Sequence, residues 1–174
     1  MTALSSFEVL SQPLIPPPNG PANTPYVVQA YFVQVSYPTG GSGDTVTFSL
    51  TFEETTNFTS GVGPSGVMAQ YIDESGNLVP YPTFISNSAA FVDQQITPGQ
   101  TKIYSVNVVF PPASAAAMPQ SGTGWRGVAS LTPSTSGLLV ATPTQRQIYF
   151  SADMQTITDS VVYAVPTVSG GTRI

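Results

Sequence analysis

The stretch TVTFSLTFEE, residues 45–54, alternates apolar and polar side chains with a period of two over most of its length. Val46, Phe48, Leu50 and Phe52 fall on one face, and Thr and Ser residues fall on the other. Because successive side chains of a β-strand point to opposite faces, this alternation predicts a strand with one buried face and one solvated face.

Similar strand-like runs lie on both sides of this stretch and are separated by Gly, Pro, Asn and Ser turn signals. They cover residues 26–37, 67–72, 89–96, 101–110, 125–131, 138–143, 145–151 and 160–166. Pro80 and Pro82 predict an edge strand or an irregular segment over 78–84. A short helical turn is plausible only at 111–122, PPASAAAMPQSG. We therefore expect an all-β fold, an antiparallel β-sandwich of immunoglobulin-like or jelly-roll type, with about 8–10 short strands and little helix.

Two short motifs resemble bacterial immunoglobulin-like domains. In ITPGQTKIYSVNVVFPP, residues 96–112, a Pro-Gly turn precedes a strand of alternating apolar residues, and GWRGVASL, residues 124–131, is similar to the strand that follows in such domains. The resemblance covers residues 96–131 and implies the fold without implying an activity. The chain departs from the family by having no cysteine pair and by exceeding its usual length of about 100 residues.

The expected domain organisation has three parts. Residues 1–25 contain six prolines, which favour an extended path, and predict an N-terminal arm. This arm is either loose or docked on a neighbouring subunit through Leu10, Leu14 and Ile15. Residues 26–166 are expected to form the sandwich, and residues 167–174 a flexible tail.

The low charge of the chain limits its partners. Asp, Glu, Lys and Arg make up 7% of the residues, against roughly 25% in typical proteins, and the net charge is −5. Four scattered cations form no basic patch for nucleic acid or anionic membranes, and no run of apolar residues predicts membrane insertion. The N-terminus does not resemble a secretory signal peptide. We therefore expect synthesis in the cytoplasm, with incorporation into a virion or an extracellular assembly left open.

The residue types that most enzymes use are scarce. The chain has no His and no Cys, which removes imidazole bases, thiolate nucleophiles and the commonest metal ligands. Glu53-Glu54 and Asp73-Glu74 are adjacent pairs, and adjacent strand residues point to opposite faces, so neither pair faces across a cleft. The run DESGN, residues 73–77, predicts a turn rather than a calcium loop. We expect no enzyme activity, no cofactor and no metal.

A few residues are candidates for contacts with partners. In GWRGVASL, Trp125 shares a strand face with Gly127, Ala129 and Leu131, and small Gly127 and Ala129 leave room for a large ring from the opposite sheet. Arg126 points to the other face and is a candidate subunit contact. An aromatic surface for a ligand or an interface is expected at Tyr71, Tyr81 and Tyr149.

These observations favour a non-enzymatic structural or assembly subunit, of a virion, a filament or a surface layer. Such a subunit would act through packing of β-sandwich faces and exchange of arms, with copies of itself or with other subunits as partners. The alternative hypothesis is a carbohydrate-binding or adhesive module that recognises glycans with aromatic and amide side chains.

Overall fold

The computed structural model describes residues 1–15, 24–40, 43–57, 67–81, 88–108, 123–153 and 155–174. These residues form ten strands, all paired antiparallel. The strands are β1 (Thr2–Pro13), β2 (Tyr26–Ser36), β3 (Val46–Asn57), β4 (Val67–Ile72), β5 (Leu78–Tyr81), β6 (Ser88–Ile96), β7 (Thr101–Val108), β8 (Thr123–Pro133), β9 (Val140–Phe150) and β10 (Ile157–Ala164). The prediction of an all-β antiparallel fold is confirmed, whereas the helical turn predicted at 111–122 lies outside the described residues.

Strand β2 is the branch point of a single curled sheet. Strand β9 pairs with β2 along its whole length, from Tyr26↔Phe150 to Ser36↔Val140. The other edge of β2 is shared by two strands. Strand β1 pairs with residues 26–28 of β2, and β7 pairs with residues 30–36. The sheet therefore forks into a branch of β1, β8, β3 and β6 and a branch of β7, β4 and β5.

The two branches face each other across an aromatic core. Phe48 of β3 lies edge-on to Tyr104 of β7 with ring centroids 5.9 Å apart. The ring centroid of Phe91 in β6 lies 5.8 Å from that of Tyr71 in β4 and 5.0 Å from that of Tyr104. Edge-to-face ring pairs of this kind stabilise a core beyond the burial of their apolar area.

The alternation in TVTFSLTFEE is confirmed. Val46, Phe48, Leu50 and Phe52 are all buried, and Leu50 and Phe52 are fully so. Strand β8 alternates in the same way: Trp125, Ala129 and Leu131 are buried, whereas Arg126 and Val128 are partly exposed. Trp125 therefore belongs to the core, as its shared face with Leu131 predicts.

The prediction of an N-terminal arm over residues 1–25 is wrong for residues 2–13. Thr2–Pro13 form β1, which pairs with β8 from Thr2↔Leu131 to Ser11↔Thr123 and with the start of β2. Leu4 and Val9 are fully buried. The six prolines after residue 12 favoured the prediction of an arm over the whole of residues 1–25. In addition, buried Ser5 and Ser11 interrupt the apolar pattern by which this strand would be recognised.

The prediction of a flexible C-terminal tail over residues 167–174 is also wrong, because the tail is hydrogen-bonded to the sheet. Ile174 exchanges two backbone hydrogen bonds with Leu139, and the N–H of Ala141 donates to the carbonyl of Thr172 at 2.8 Å. Val168 N–H donates to the carbonyl of Leu4. The tail thus covers the part of the β9 edge that β10 does not reach.

The two strands predicted over 138–143 and 145–151 are a single strand, β9 (Val140–Phe150). Pro143 lies within β9, where it pairs with Val33 of β2. Its carbonyl accepts from the N–H of Val165, on the side away from β2. The N–H that proline lacks would point to that same side, so the β2 ladder loses no hydrogen bond.

Candidate interaction surface

The described residues leave three strands with a free edge, namely β5, β6 and β10. A free edge presents unpaired N–H and C=O groups, and many proteins block such edges with proline, bulges or charge. The three edges of this chain differ in whether they carry such a device.

The edge at β5 carries a proline. The N–H of Asp73 donates to the carbonyl of Asn77, so the backbone groups of residues 77 and 79 face β4. Pro80 therefore presents its ring nitrogen to the free side, where it offers no N–H to an incoming strand. This agrees with the edge strand expected at 78–84 as far as Tyr81, and the rest of that stretch lies outside the described residues.

The edge at β6 carries a bulge. The register with β3 shifts between Phe48 and Leu50, opposite Val92 and Asp93. Asp93 has a φ of +51°, in the left-handed region that few residues other than Gly and Asn adopt readily. A bulge of this kind bends the strand and interrupts the ladder that a partner strand needs.

The edge at β10 has no proline, and its register with β9 shifts only at its start, between Ile157 and Asp159, so that residues 159–164 pair regularly. All eight residues of β10 are exposed, including Ile157, Val161, Val162 and Tyr163. Among the strands that the structure describes, β10 pairs with β9 alone, and its one charged residue is Asp159. Apolar side chains therefore line both faces of an unprotected edge.

The backbone orientation of β10 follows from one hydrogen bond. Val165 N–H donates to Pro143 at 3.0 Å, so by alternation the backbone groups of Tyr163 and Val161 also face β9. Those of Val162 and Ala164 face outward. The N–H of Ser160 also faces outward, but it donates to the Asp159 carboxylate at 2.7 Å.

The β9–β10 hairpin carries a ladder of polar side chains on one face. The Tyr149 hydroxyl donates to Gln147 Oε1 at 2.9 Å, and Gln147 Nε2 donates to the Tyr163 hydroxyl at 3.3 Å. On the opposite face of β9 the Arg146 guanidinium lies 3.9 Å from the centre of the Phe32 ring on β2. These contacts hold the hairpin side chains in fixed positions next to the free edge.

A polar latch inside the core attaches β1 to the rest of the sheet. Ser5 Oγ and the Tyr31 hydroxyl are 2.5 Å apart, and both residues are buried. Gln145 of β9, also buried, donates from Nε2 to the carbonyl of Glu8 at 2.5 Å. Burial raises the pKa of Tyr31 to about 12, which keeps its hydroxyl protonated as a hydrogen-bonding group.

The N-terminal candidates divide between core and surface. Leu10 is buried in the chain itself at 6% exposure, so it is not free to dock on a neighbouring subunit. Leu14 and Ile15 are each about half exposed, and the N–H of Leu14 donates to the carbonyl of Pro25. Their role as contacts with another subunit stays a prediction.

Arg126 is paired within the chain. Its Nε and Nη2 atoms both donate to Glu8 Oε2, at 3.2 and 3.0 Å. Both side chains are more than a third exposed, so solvent screens the pair and it contributes little to stability. Arg126 thus lies at the surface beside β1, and its role as a subunit contact stays a prediction.

The three tyrosines expected to form an aromatic surface are not in one place. Tyr71 stacks on Tyr104 with centroids 5.3 Å apart and is half-buried at the rim of the core. Tyr149 lies on the β9–β10 hairpin, which pairs with the opposite edge of β2 from the branch that carries Tyr71. The side chain of Tyr81 lies outside the described residues.

A buried lysine near Tyr71 was missed from the sequence. Lys102 shares the buried face of β7 with Tyr104 and pairs with Glu74 Oε2 at 3.2 Å. Its ammonium lies 5.9 Å from the centre of the Tyr71 ring. The Glu74 backbone N–H and Lys102 together lower the pKa of the Glu74 carboxyl. This cluster closes the rim of the core, and the period of β7 was the signal that could have revealed it.

The Asp73 carboxylate of the DESGN turn accepts hydrogen bonds from residues of the same turn. Asp73 Oδ1 accepts from the N–H groups of Ser75 and Asn77, and Oδ2 accepts from the Asn77 side chain. These bonds, the Asn77 N–H foremost, lower the pKa of Asp73. Gly76 has a φ of +85°, as a tight hairpin turn requires. In the part of the chain that the structure describes, no group of three or more carboxylates comes together to hold a metal ion.

Comparisons with known proteins assign no family. No protein-family model matches the chain, and no curated protein matches it. One solved structure, described as "AvmM Catalyzes Macrocyclization in Alchivemycin A Biosynthesis", is 9% identical and aligns over 93% of this chain and 88% of that one, with a TM-score of 0.20. A likeness at that score supports no conclusion about fold or function. No described residue belongs to a helix with the length and apolarity needed to span a membrane.

Proposed function

We propose that this protein is a non-enzymatic structural subunit that assembles with other protein subunits into a particle, a filament or a surface layer. The observation that carries the proposal is the β10 edge, where all eight residues are exposed, apolar side chains such as Val161, Val162 and Tyr163 are among them, and the backbone groups of Val162 and Ala164 face outward. Strand addition at such an edge is a common mode of protein association.

The composition supports the same proposal. With 7% charged residues, the surface is weakly repulsive between copies and little solvation is lost when it is covered. Val161, Val162 and Tyr163 are each more than 40% exposed, next to each other on one strand. Exposed apolar side chains on both faces of a free edge strand favour association with another chain.

The proposed architecture of the subunit is a β-sandwich of immunoglobulin-like or jelly-roll type. The forked sheet supports this reading, since the branch of β3 and β6 packs its rings against the branch of β4 and β7. Contacts between subunits would involve the outer surfaces of both branches. The N-terminal contribution would come from Leu14 and Ile15, because β1 is part of the sheet.

Size-exclusion chromatography with light scattering, together with electron microscopy of the purified full-length chain, tests the proposal. We expect a mass that rises with protein concentration above 18.2 kDa and ordered assemblies at the highest concentrations. A mass of one chain at every concentration, with no assemblies on the grid, would contradict it.

The alternative is a carbohydrate-binding module, and one observation favours it. Tyr149, Gln147 and Tyr163 form a fixed ladder of rings and an amide on the hairpin face. Tyrosine rings stack on sugars, and amides hydrogen-bond to their hydroxyls. A glycan array separates the two proposals: saturable binding that Tyr149→Ala and Tyr163→Ala abolish, in a monomeric protein, would favour the module.

A further inference from the structure

We propose that the occupant of the β10 edge is the β10 strand of a second copy of this chain, paired antiparallel about a two-fold axis at Val162. This inference rests on the proposed assembly function and names the partner and the register. It follows from backbone orientation, side-chain pairing and charge along the strand.

The backbone orientation requires even-numbered residues of β10 to pair with even-numbered residues of the second copy, and an axis at Val162 meets this requirement. The outward backbone groups belong to Val162 and Ala164, and those of Val161 and Tyr163 are used in the ladder with β9. With the axis at Val162, the two Val162 residues form a hydrogen-bonded pair, and each Ala164 N–H donates to the Ser160 carbonyl of the other copy. The Ser160 N–H, which would donate to the Ala164 carbonyl in the same pair, donates to the Asp159 carboxylate instead, so each Ser160–Ala164 pair is held by one hydrogen bond.

The side chains match in this register. Val161 of each copy lies opposite Tyr163 of the other copy in a non-hydrogen-bonded pair, where side chains approach most closely. Pairs of an aromatic and a β-branched residue are among those that stabilise antiparallel strands. Val161 and Tyr163 are 43% and 44% exposed in the single chain, so both gain contact from pairing.

The charge pattern also permits a second copy. Asp159 is the one charged residue of β10. With the axis at Val162, each Asp159 lies opposite Val165 of the other copy, so the carboxylates do not face each other. An interface that is its own complement is what a two-fold dimer requires.

The same reasoning explains why β10 rather than another edge is used. Pro80 blocks the ladder at β5, and the left-handed Asp93 bulge interrupts β6.

The contact between two β10 strands is small, since stable complexes use about 20–30 residues on each side. We therefore expect a Kd on the order of 0.1–1 mM for the isolated pair, strengthened in an assembly by other contacts.

The first test compares two matched substitutions in the full-length chain. Val162 and Val92 are both 59% exposed on edge strands, so Val162→Lys and Val92→Lys add the same charge at equally exposed positions. Light scattering up to about 1 mM should show dimer formation by the wild type and by Val92→Lys. Val162→Lys should weaken association at least tenfold, with circular dichroism confirming that it is folded.

The second test fixes the register by disulfide formation. The chain has no cysteine, so each introduced thiol is unique. Mixed Val161→Cys and Tyr163→Cys proteins should form a heterodimeric disulfide faster than either forms a homodimer, because residues 161 and 163 are directly opposite. Leu78→Cys, on the β5 edge and 58% exposed, is the control and should stay unlinked.

The outcomes separate this inference from the proposed function. A wild type that stays monomeric at all concentrations overturns both. Association that Val162→Lys leaves unchanged keeps the assembly function and overturns the β10 pairing. Loss of association in Val162→Lys without preferential 161–163 linkage overturns the register, because an axis at residue 160 or 164 does not place 161 opposite 163.

Discussion

Gly127 of β8 lies directly against the backbone carbonyl of Glu53 in β3, with no space for a side chain. A Cβ at position 127 would overlap that carbonyl and would lie 3.0 Å from the Phe7 ring. Phe7 of β1 pairs with Gly127 of β8, and the ring centroids of Phe7 and Trp125 are 4.9 Å apart. The sequence predicts a large ring from the opposite sheet near Gly127, and this is wrong in one respect, because the ring belongs to Phe7 of the adjacent strand β1.

Gly127→Ala should therefore destabilise the protein by about 3 kcal/mol, because strand β3 must move to admit the methyl group. Gly40→Ala is the control, since nothing lies within 4 Å of a Cβ there, and it should change stability by less than about 0.5 kcal/mol. Urea unfolding of both variants measures the difference. Equal stabilities would show that β3 and β8 are not this close.

The latch between Ser5 and Tyr31 predicts a non-additive double mutant. Ser5→Ala or Tyr31→Phe alone leaves a buried hydroxyl without its partner, at about 1–3 kcal/mol. The double variant should be more stable than the sum of the single effects implies, with a coupling of about 1 kcal/mol. Ser36→Ala is the control, because Ser36 pairs with Thr101 in a partly exposed site and should have a smaller effect. Strictly additive effects would contradict the latch.

Alkaline pH should destabilise the fold through the buried tyrosines. The pKa of Tyr31 rises from 10.0 to about 12, and burial raises that of Tyr104 as well. The folded state therefore holds protons that the unfolded state releases, so stability is retained below pH 10 and falls as pH rises toward 12. Each such group contributes a slope of up to about 1.4 kcal/mol per pH unit. Tyr31→Phe should reduce the slope of unfolding free energy between pH 10 and 12, and an unchanged slope would contradict the raised pKa.

The bulge at Asp93 predicts an unusual preference for glycine within a strand. Asp93→Gly should be neutral or stabilising by up to about 1 kcal/mol, because glycine adopts a positive φ without steric conflict. Asp93→Val should be destabilising by about 1–2 kcal/mol, although the position is exposed. Thermal unfolding ranks the three proteins. A more stable Val variant would show that residue 93 is not left-handed.

Local alternation was enough to predict much of the fold. Strand β4 has the predicted bounds, and β3 and β7 have the buried faces that their period indicates. Strand β1 was missed, because its apolar residues are interrupted by buried Ser5 and Ser11, which only tertiary hydrogen bonding or packing accommodates. The order of the strands depends on contacts between distant residues, such as Val9 with Trp125, which no local pattern encodes.

The candidate surface was predictable only in part. The apolar run of β10 is visible in SVVYAVP, but a buried strand has the same composition. Its exposure follows from the position of β9, whose other side is occupied by β2. Pro80 was recognised as an edge signal from the sequence, whereas the left-handed φ of Asp93 appears only in the structure.

Amide hydrogen exchange at the β10 edge tests the central claim most directly. The N–H groups of Val161 and Tyr163 bond to β9, so they should be protected at every protein concentration. The outward N–H groups of Val162 and Ala164 should exchange fast in dilute protein and slow at least several-fold as the concentration approaches about 1 mM. Exchange of Val162 and Ala164 that stays fast and independent of concentration would contradict assembly through this edge.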